Sequence, residues 1–183
     1  QDRSSAASDV YKRQVVCSPS VVTSVPNGLE LSLAAGLCET WCTALLNLWD
    51  QAAMVPKDKV LIHAGASGVG SAAIQLARLL GGVPYITCGS QTKLDYCLAR
   101  GAEAGVLRSQ DWAAYFRELG LQFDVILDPV GAGYLNKDLS VAANGARIAI
   151  FGLLGGVSTD CNLVDFISKN VTVFGRCLLY TSP

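Results

Sequence analysis

The chain has 183 residues, is 51% hydrophobic and 16% charged, and carries a net charge of −1. This length and balance predict one domain with appendages around a sizeable core, and exclude a disordered, collagenous or disulfide-scaffold chain. The near-neutral charge offers no field to nucleic acid or anionic lipid. No uninterrupted apolar run approaches the roughly 18 residues of a membrane helix, so no nucleic-acid or membrane partner is expected.

The two ends read as processing scars. Asp9–Gln14 back-translates as GATGTGTATAAGAGACAG and Cys177–Ser182 as TGTCTCTTATACACATCT, reverse complements of each other apart from one base at each edge. Natural termini have no reason to show that relation. Residues 1–14 and 177–183 are therefore expected to derive from a transposase-type sequencing adapter and are set aside before fold reasoning. The informative stretch is Val15 to Arg176, expected to be cut from something longer.

In chain order, Val15 to Leu31 is rich in Pro, Ser and Val and predicts an extended strand, a turn at Pro26-Asn27-Gly28 and an approach to a helix. Ser32 to about Ala53 predicts a helix, with Leu37, Trp41, Leu45 and Leu48 at spacings of three and four. Trp41 and Trp49 are expected on its core face. Strands are then predicted at Lys59–Ala64, Val83–Cys88, Ala104–Leu107, Phe123–Leu127, Ala146–Phe151 and Val171–Phe174. Helices are predicted at Ser71–Leu80, Gln91–Arg100, Gln110–Leu119 and Tyr134–Ala142. Short apolar strands alternating with helices imply an α/β fold, a Rossmann-like doubly wound parallel sheet with helices on both faces. A preceding helix at a domain junction completes it.

The glycine-rich Gly65-Ala66-Ser67-Gly68-Val69-Gly70 sits immediately after the first strand and opens the first helix of the sheet. There, backbone amides favour an anionic pyrophosphate and glycine lets it approach the chain. The loop lacks the Lys-Ser/Thr ending of a P-loop, so ATP chemistry is not expected. An NAD-selective site places a carboxylate about 20 residues on, at the end of the second strand. Here that strand ends Thr87-Cys88-Gly89-Ser90-Gln91-Thr92-Lys93. With no carboxylate to repel a 2′-phosphate, and Ser90, Lys93 and Arg108 able to donate to one, the predicted cofactor is NADPH.

The ordered set of Glu39–Thr43 (ETWCT), Val60–Gly70 (VLIHAGASGVG), Ala73–Ala77 (AIQLA), Thr87–Gln91 (TCGSQ), Asp128–Gly131 (DPVG) and Phe151–Gly156 (FGLLGG) is distinctive. It resembles the NADPH:quinone oxidoreductases, zinc-free members of the medium-chain dehydrogenase/reductase superfamily, over essentially all of Val15–Arg176. The resemblance implies an oxidoreductase that passes hydride from NADPH to a quinone or a related enone, activated alkene or carbonyl. It implies a remnant of an N-terminal GroES-like catalytic domain at residues 15–31 and the dinucleotide-binding domain at residues 32–176. It also implies a homo-oligomeric parent, paired near Val171–Phe174.

Residue by residue, the resemblance places Thr43 at the nicotinamide end and Ala66, Ser67, Gly68, Val69 and Gly70 at the pyrophosphate. Ser90 and Lys93 fall at the 2′-phosphate, with Arg108 where many relatives have tyrosine. Gly131, Gly152, Leu153 and Leu154 fall along the ribose and nicotinamide. No catalytic acid or base is assigned, because the substrate-orienting side chains of the family belong mostly upstream; the chain alone is expected to be inactive. Glu39 stands where zinc-dependent relatives carry a ligand cysteine, so no metal is expected. The alternatives are a zinc-free enoyl-thioester reductase of the same superfamily and a non-catalytic NADP(H)-binding module.

Seven cysteines contain no CxxC pair, and there is one histidine, His63. The cysteines are expected mostly as small buried hydrophobes in a reducing compartment, the cytoplasm or an organelle matrix. His63 is expected as a hydrogen-bonded core residue of the first strand, and Tyr134 either lines the cofactor cleft or packs its helix.

Overall fold

The computed structural model describes residues 16–176, so both expected adapter-derived ends lie outside the described residues. Two units divide between Ala35 and Gly36. In the first, the expected strand does not form. Pro19–Val21 is a 3₁₀ turn whose preceding Ser18 accepts a hydrogen bond from the Ser20 amide. Proline has no amide to lose at the start of such a turn, and among the described residues no neighbouring strand competes for the backbone. The predicted turn is present: Gly28 takes φ 82° and the Leu29 amide donates to the Pro26 carbonyl at 3.2 Å. Helix α1 (Leu31–Ala34) follows.

In the second unit, the predicted long helix is wound unevenly. Wide i→i+5 turns at Leu37–Trp41 and Leu46–Gln51 flank one ordinary turn, α2 (Cys42–Leu45). Wider turns change which residues share a face. The buried rows run in steps of four, Ala44, Leu48 and Ala52 beside Thr43 and Asn47. Leu48 is core and Trp41 packs against it, but Leu45 faces solvent and Trp49 is 60% exposed, contrary to the expected stripe. The stretch Leu31–Gln51 also has the length and mean hydropathy, 1.3, of a membrane-crossing helix, although polar residues interrupt its apolar ones. From Thr43 on, its buried face is part of the core around the sheet.

Six parallel strands form the sheet, in the order β3-β2-β1-β4-β5-β6. They are β1 (Lys59–Ile62), β2 (Val83–Cys88), β3 (Ala104–Leu107), β4 (Phe123–Asp128), β5 (Ala142–Ile150) and β6 (Thr172–Gly175). Between them run α3 (Gly68–Leu79), α4 (Gln91–Leu98), α5 (Trp112–Glu118), α6 (Leu135–Val141) and α7 (Leu163–Lys169). This is the expected doubly wound sheet. Alternate strand residues serve opposite faces: Val60, Ile62, Ile86 and Leu127 pack with α2 and α3, while Leu61, Tyr85, Ile126 and Ile148 pack with α5 and α6.

Caps explain the helix starts. Ser67, Ser90, Asp111 and Asn162 each accept an amide of the first turn of α3, α4, α5 and α7. Helix α7 was not predicted; its Asn162 cap, Asp165 in the first turn and left-handed Asn170 at the end are the signals that mark it. Strand β5 starts four residues before its predicted position, because a bulge opposite Phe123 and Val125 lets Ala142 pair ahead of Arg147. Among the described residues the expected burial holds for Cys88 and Cys97 only. Cys17, Cys38 and Cys42 are exposed, the last two because they lie off the four-step buried face.

Candidate functional site

The site grows from the turn after β1. Ala64 adopts a left-handed φ of 51°, and its carbonyl accepts from the Ser67 amide at 2.8 Å, which turns the chain sharply into α3. A Cβ at Gly70 would collide with the Ala64 carbonyl and the Gly65 backbone, so only glycine lets α3 start this close to β1. The Ser67 hydroxyl takes the Gly70 amide at 3.0 Å. The amides of Gly68 and Val69, in the first helical turn, have no intrahelical acceptor and carry the positive end of the helix dipole.

Beside this turn lies a cleft of about 470 Å³ at the C-terminal ends of the strands. In open parallel sheets ligands bind at such a place, where the strand order reverses. Its wall includes Ala66, Ser67, Ser90, Lys93, Arg108 and Leu154 of the predicted residues, together with Ala64, Thr87, Cys88, Gly89, Val130 and Tyr134. No carboxylate is among these residues. Among the described residues neither Lys93 nor Arg108 is paired with an acid. Two unpaired cations, uncapped amides and the Ser90 hydroxyl form a donor set suited to a phosphate-bearing ligand.

The other predicted residues are not part of the cleft wall. Gly68, Val69 and Gly70 form the first turn of α3. Thr43 is buried on α2, and its Oγ1 has no hydrogen-bond partner among the described residues, so it is a hydroxyl with bonding capacity to spare. Gly131, at φ 77°, closes the turn after β4, where its amide donates to Asp128 at 3.0 Å. Gly152 follows β5 and packs so tightly on Pro129 that a Cβ would lie 2.6 Å from the Pro129 carbonyl oxygen. Leu153 is next to it and largely exposed.

A polar cluster behind the wall was only half legible. His63 lies just past the end of β1, rather than within it, and both ring nitrogens are bonded: Nδ1 to Thr87 Oγ1 at 2.9 Å and Nε2 to Asp138 Oδ1 at 2.8 Å. Asp138, on α6, is fully buried, and burial pushes its carboxyl up to about 6 against the pull of His63. Asp128 is also raised by burial, while the Val130 and Gly131 amides and His63 draw it down. Tyr134 does both things anticipated for it: it lines the cleft and sets its ring edge against His63 at 4.7 Å. Burial raises its hydroxyl and the Arg108 charge opposes that rise. Nothing near His63 in the sequence marks Asp138 as its partner, since 75 residues separate them.

Among the described residues no three His, Cys, Asp or Glu side chains gather, so they offer no donor set for zinc. Glu39 is in the wide turn before α2 without such neighbours.

A family model described as zinc-binding dehydrogenase matches residues 68–182. The chain is 33% identical over 160 residues to the phenolphthiocerol synthesis polyketide synthase type I Pks15/1 of Mycobacterium marinum, a match that covers 85% of this chain and 7% of that one. Among solved structures it resembles an NAD-dependent alcohol dehydrogenase, with a TM-score of 0.79 and 33% identity over 85% of this chain and 46% of that one. The quinone oxidoreductase of Thermus thermophilus, solved also in complex with NADPH, gives 0.78 and 26% over 87% and 51%. A 2-haloacrylate reductase gives 0.74 and 29% over 86% and 51%. The chain thus spans about half the length of these structures and less than a tenth of the polyketide synthase.

Proposed function

Because the chain belongs to the zinc-binding dehydrogenase family of the medium-chain dehydrogenase/reductase superfamily, we propose that it is the NADPH-binding part of an oxidoreductase that reduces a quinone or another activated alkene or carbonyl. The observation that carries this reading is the pair of unpaired cations, Lys93 and Arg108, on a cleft wall without a carboxylate. NADPH, when bound, supplies the hydride. The Ser67–Gly70 turn holds the pyrophosphate on its free amides, with Ala66 beside it. Ser90, Lys93 and Arg108 hold the 2′-phosphate. Thr43, Gly131, Gly152, Leu153 and Leu154 orient the ribose and nicotinamide, Thr43 through its unpartnered hydroxyl. This chain's part in the reaction is positioning and exclusion of water from the reacting end.

A second acceptor, an enoyl thioester, is favoured by the similarity to polyketide synthases and to the enoyl reductase domain of one. Both acceptors are conjugated alkenes or their vinylogous equivalents, and both readings keep the same cofactor site.

The test is titration of NADPH and of NADH into the chain, followed by nicotinamide fluorescence at fixed salt. NADPH is expected to bind more tightly, and Lys93→Ala or Arg108→Ala to weaken NADPH about tenfold while leaving NADH nearly unchanged, the scale of one lost charge-assisted hydrogen bond. Equal affinities for the two nucleotides would remove the NADPH assignment.

A further inference from the structure

Directly behind the cleft wall lies a buried chain of polar groups that the cofactor contacts above do not use. It runs from Thr87, at the end of β2, through His63 to Asp138 on α6. An ionised carboxylate only accepts, so Asp138 sets the neutral ring as the Nε2–H tautomer, and the Thr87 hydroxyl then donates to Nδ1. A pair of apolar side chains would fill the same volume at lower cost, because Asp138 is wholly buried and its Oδ2 has no partner among the described residues. What the polar pair adds is direction.

That direction bears on Tyr134. Asp138 lies one helical turn after Tyr134, and its amide donates to the Tyr134 carbonyl at 2.9 Å, so the two side chains share a face. Helix α6 has no side-chain cap at its start, where Tyr134 stands. The His63–Asp138 bond is thus a buried polar tether of α6 to the turn after β1. The Tyr134, His63 and Trp112 rings pack as a triangle, Tyr134 lying 4.7 Å from His63 and 5.1 Å from Trp112 while those two are 4.6 Å apart, and on the cleft side Tyr134 shares the wall with Arg108.

We propose that His63 and Asp138 are positioning residues of the cleft: their hydrogen bond seats Tyr134 as the wall beside Arg108, and affinity for the phosphorylated adenosine end of the ligand depends on that seating. This rests on the NADPH reading above.

The probe is 2′,5′-ADP, which carries the adenosine 2′-phosphate without the nicotinamide, titrated calorimetrically into the full chain. Asp138→Asn keeps the volume but weakens the acceptor, and is expected to lower affinity about fivefold; Tyr134→Leu is expected to do the same. The double variant is expected to lose no more than the larger single loss, because both changes act on one contact. Additive losses, or a folded Asp138→Asn chain that binds as tightly as the parent, would overturn the proposal.

If Asp138→Asn does not fold, Thr87→Val cuts the other end of the chain and leaves the His63–Asp138 bond. It too is expected to weaken 2′,5′-ADP, without further effect in the Tyr134→Leu background, and unchanged affinity counts against the idea. His63 is the only histidine, so nitrogen-resolved NMR of the parent chain reads its imidazole without assignment. An Nε2–H tautomer whose signals shift on saturation with 2′,5′-ADP supports the tether; the opposite tautomer, or signals that do not move, overturns it. A parent chain that binds neither NADPH nor 2′,5′-ADP defeats the cofactor reading as well, whereas normal binding with an indifferent Asp138 defeats this inference alone.

Discussion

The two faces of the sheet are filled by different means. On the face covered by α2 and α3, the buried helix residues are mostly small: Ala44, Ala52, Ala72, Ala73 and Ala77 around Ile74 and Leu48. On the face covered by α5 and α6, rings from both strands and helices sit among the aliphatic side chains. Tyr85, Phe116 and Phe123 meet edge-to-face at 5.0 to 6.2 Å, and Trp112 joins Tyr134 and His63 nearby. Alanines let helices lie close to the sheet and to each other, and this closeness brings Thr40 against the first glycine of α3. Rings span a wider gap and tolerate a polar pair among them, because imidazole packs by its edges like any aromatic while its nitrogens bond along the plane. The first face fixes the glycine-rich turn by proximity; the second fixes the wall at Tyr134 by hydrogen bonding.

Opposite substitutions should therefore damage the two faces. Phe116→Ala empties a fully buried ring site and is expected to cost about 3–5 kcal/mol in chemical denaturation. Ala73→Leu does the reverse on α3, forcing methyl groups into a site with no room, for an expected cost of about 1–3 kcal/mol. If Ala73→Leu were neutral, the alanine face would not be close-packed and the contrast between the faces would fail.

The fold was legible because each strand is a short apolar run closed by glycine or a polar turn, as in Val83–Cys88 and Ala104–Leu107, where prediction and structure coincide. Sequence reading failed where tertiary packing overrode the local pattern. Trp49 sits on the right helical spacing but the wide turns rotate it into solvent. The start of β5 was hidden because Asn144-Gly145 reads as a turn, yet Ala142 already pairs with Phe123 across a bulge. At the site, the glycine-rich turn after β1 was legible because its residues are contiguous. The wall at Tyr134 was only half so: Tyr134 stands at the start of α6, Asp138 lies on it and Thr87 on β2, and only the sheet order brings them to His63.

The polar pair on the ring face also gives that face a pH dependence in the acid range, whereas on the alanine face burial raises the thiols of Cys88 and Cys97. The folded-state value of Asp138, about 6, lies above the ordinary carboxylate value of 3.8. The native state therefore holds this proton more tightly than the unfolded chain does. The stability it contributes is complete below the unfolded value and is lost as pH rises through the folded one. Asp138→Asn removes this titration, so the difference in unfolding free energy between parent and variant is expected to slope between about pH 4 and pH 6 and to flatten above. Asp128 is raised in the same direction and is present in both chains, but its charge is one cause of the Asp138 shift, so only the part of its titration independent of Asp138 cancels in the difference. A difference that is flat across this range would show that burial does not perturb Asp138.

The smallest effect is expected at the outer rim of the same face, where opposite charges meet water. Lys137 Nζ lies 3.2 Å from Asp111 Oδ1, with side chains 45% and 58% exposed, and 5.8 Å over the Trp112 ring. The Lys137 hydrogen bond, more than the Ala114 amide, holds the Asp111 carboxyl below its ordinary value. Exposed pairs of this kind contribute little to stability, because water and salt screen them and ordering a lysine costs entropy. Lys137→Ala is thus expected to raise the Asp111 titration toward the ordinary carboxylate value in carbon-detected NMR and to leave the thermal midpoint unchanged within error. Asp111→Ala should lower the midpoint more than Lys137→Ala, because Asp111 also caps the start of α5. Were Lys137→Ala the more damaging of the two, its contact with the Trp112 ring, and not the ion pair, would be holding that corner of the ring face.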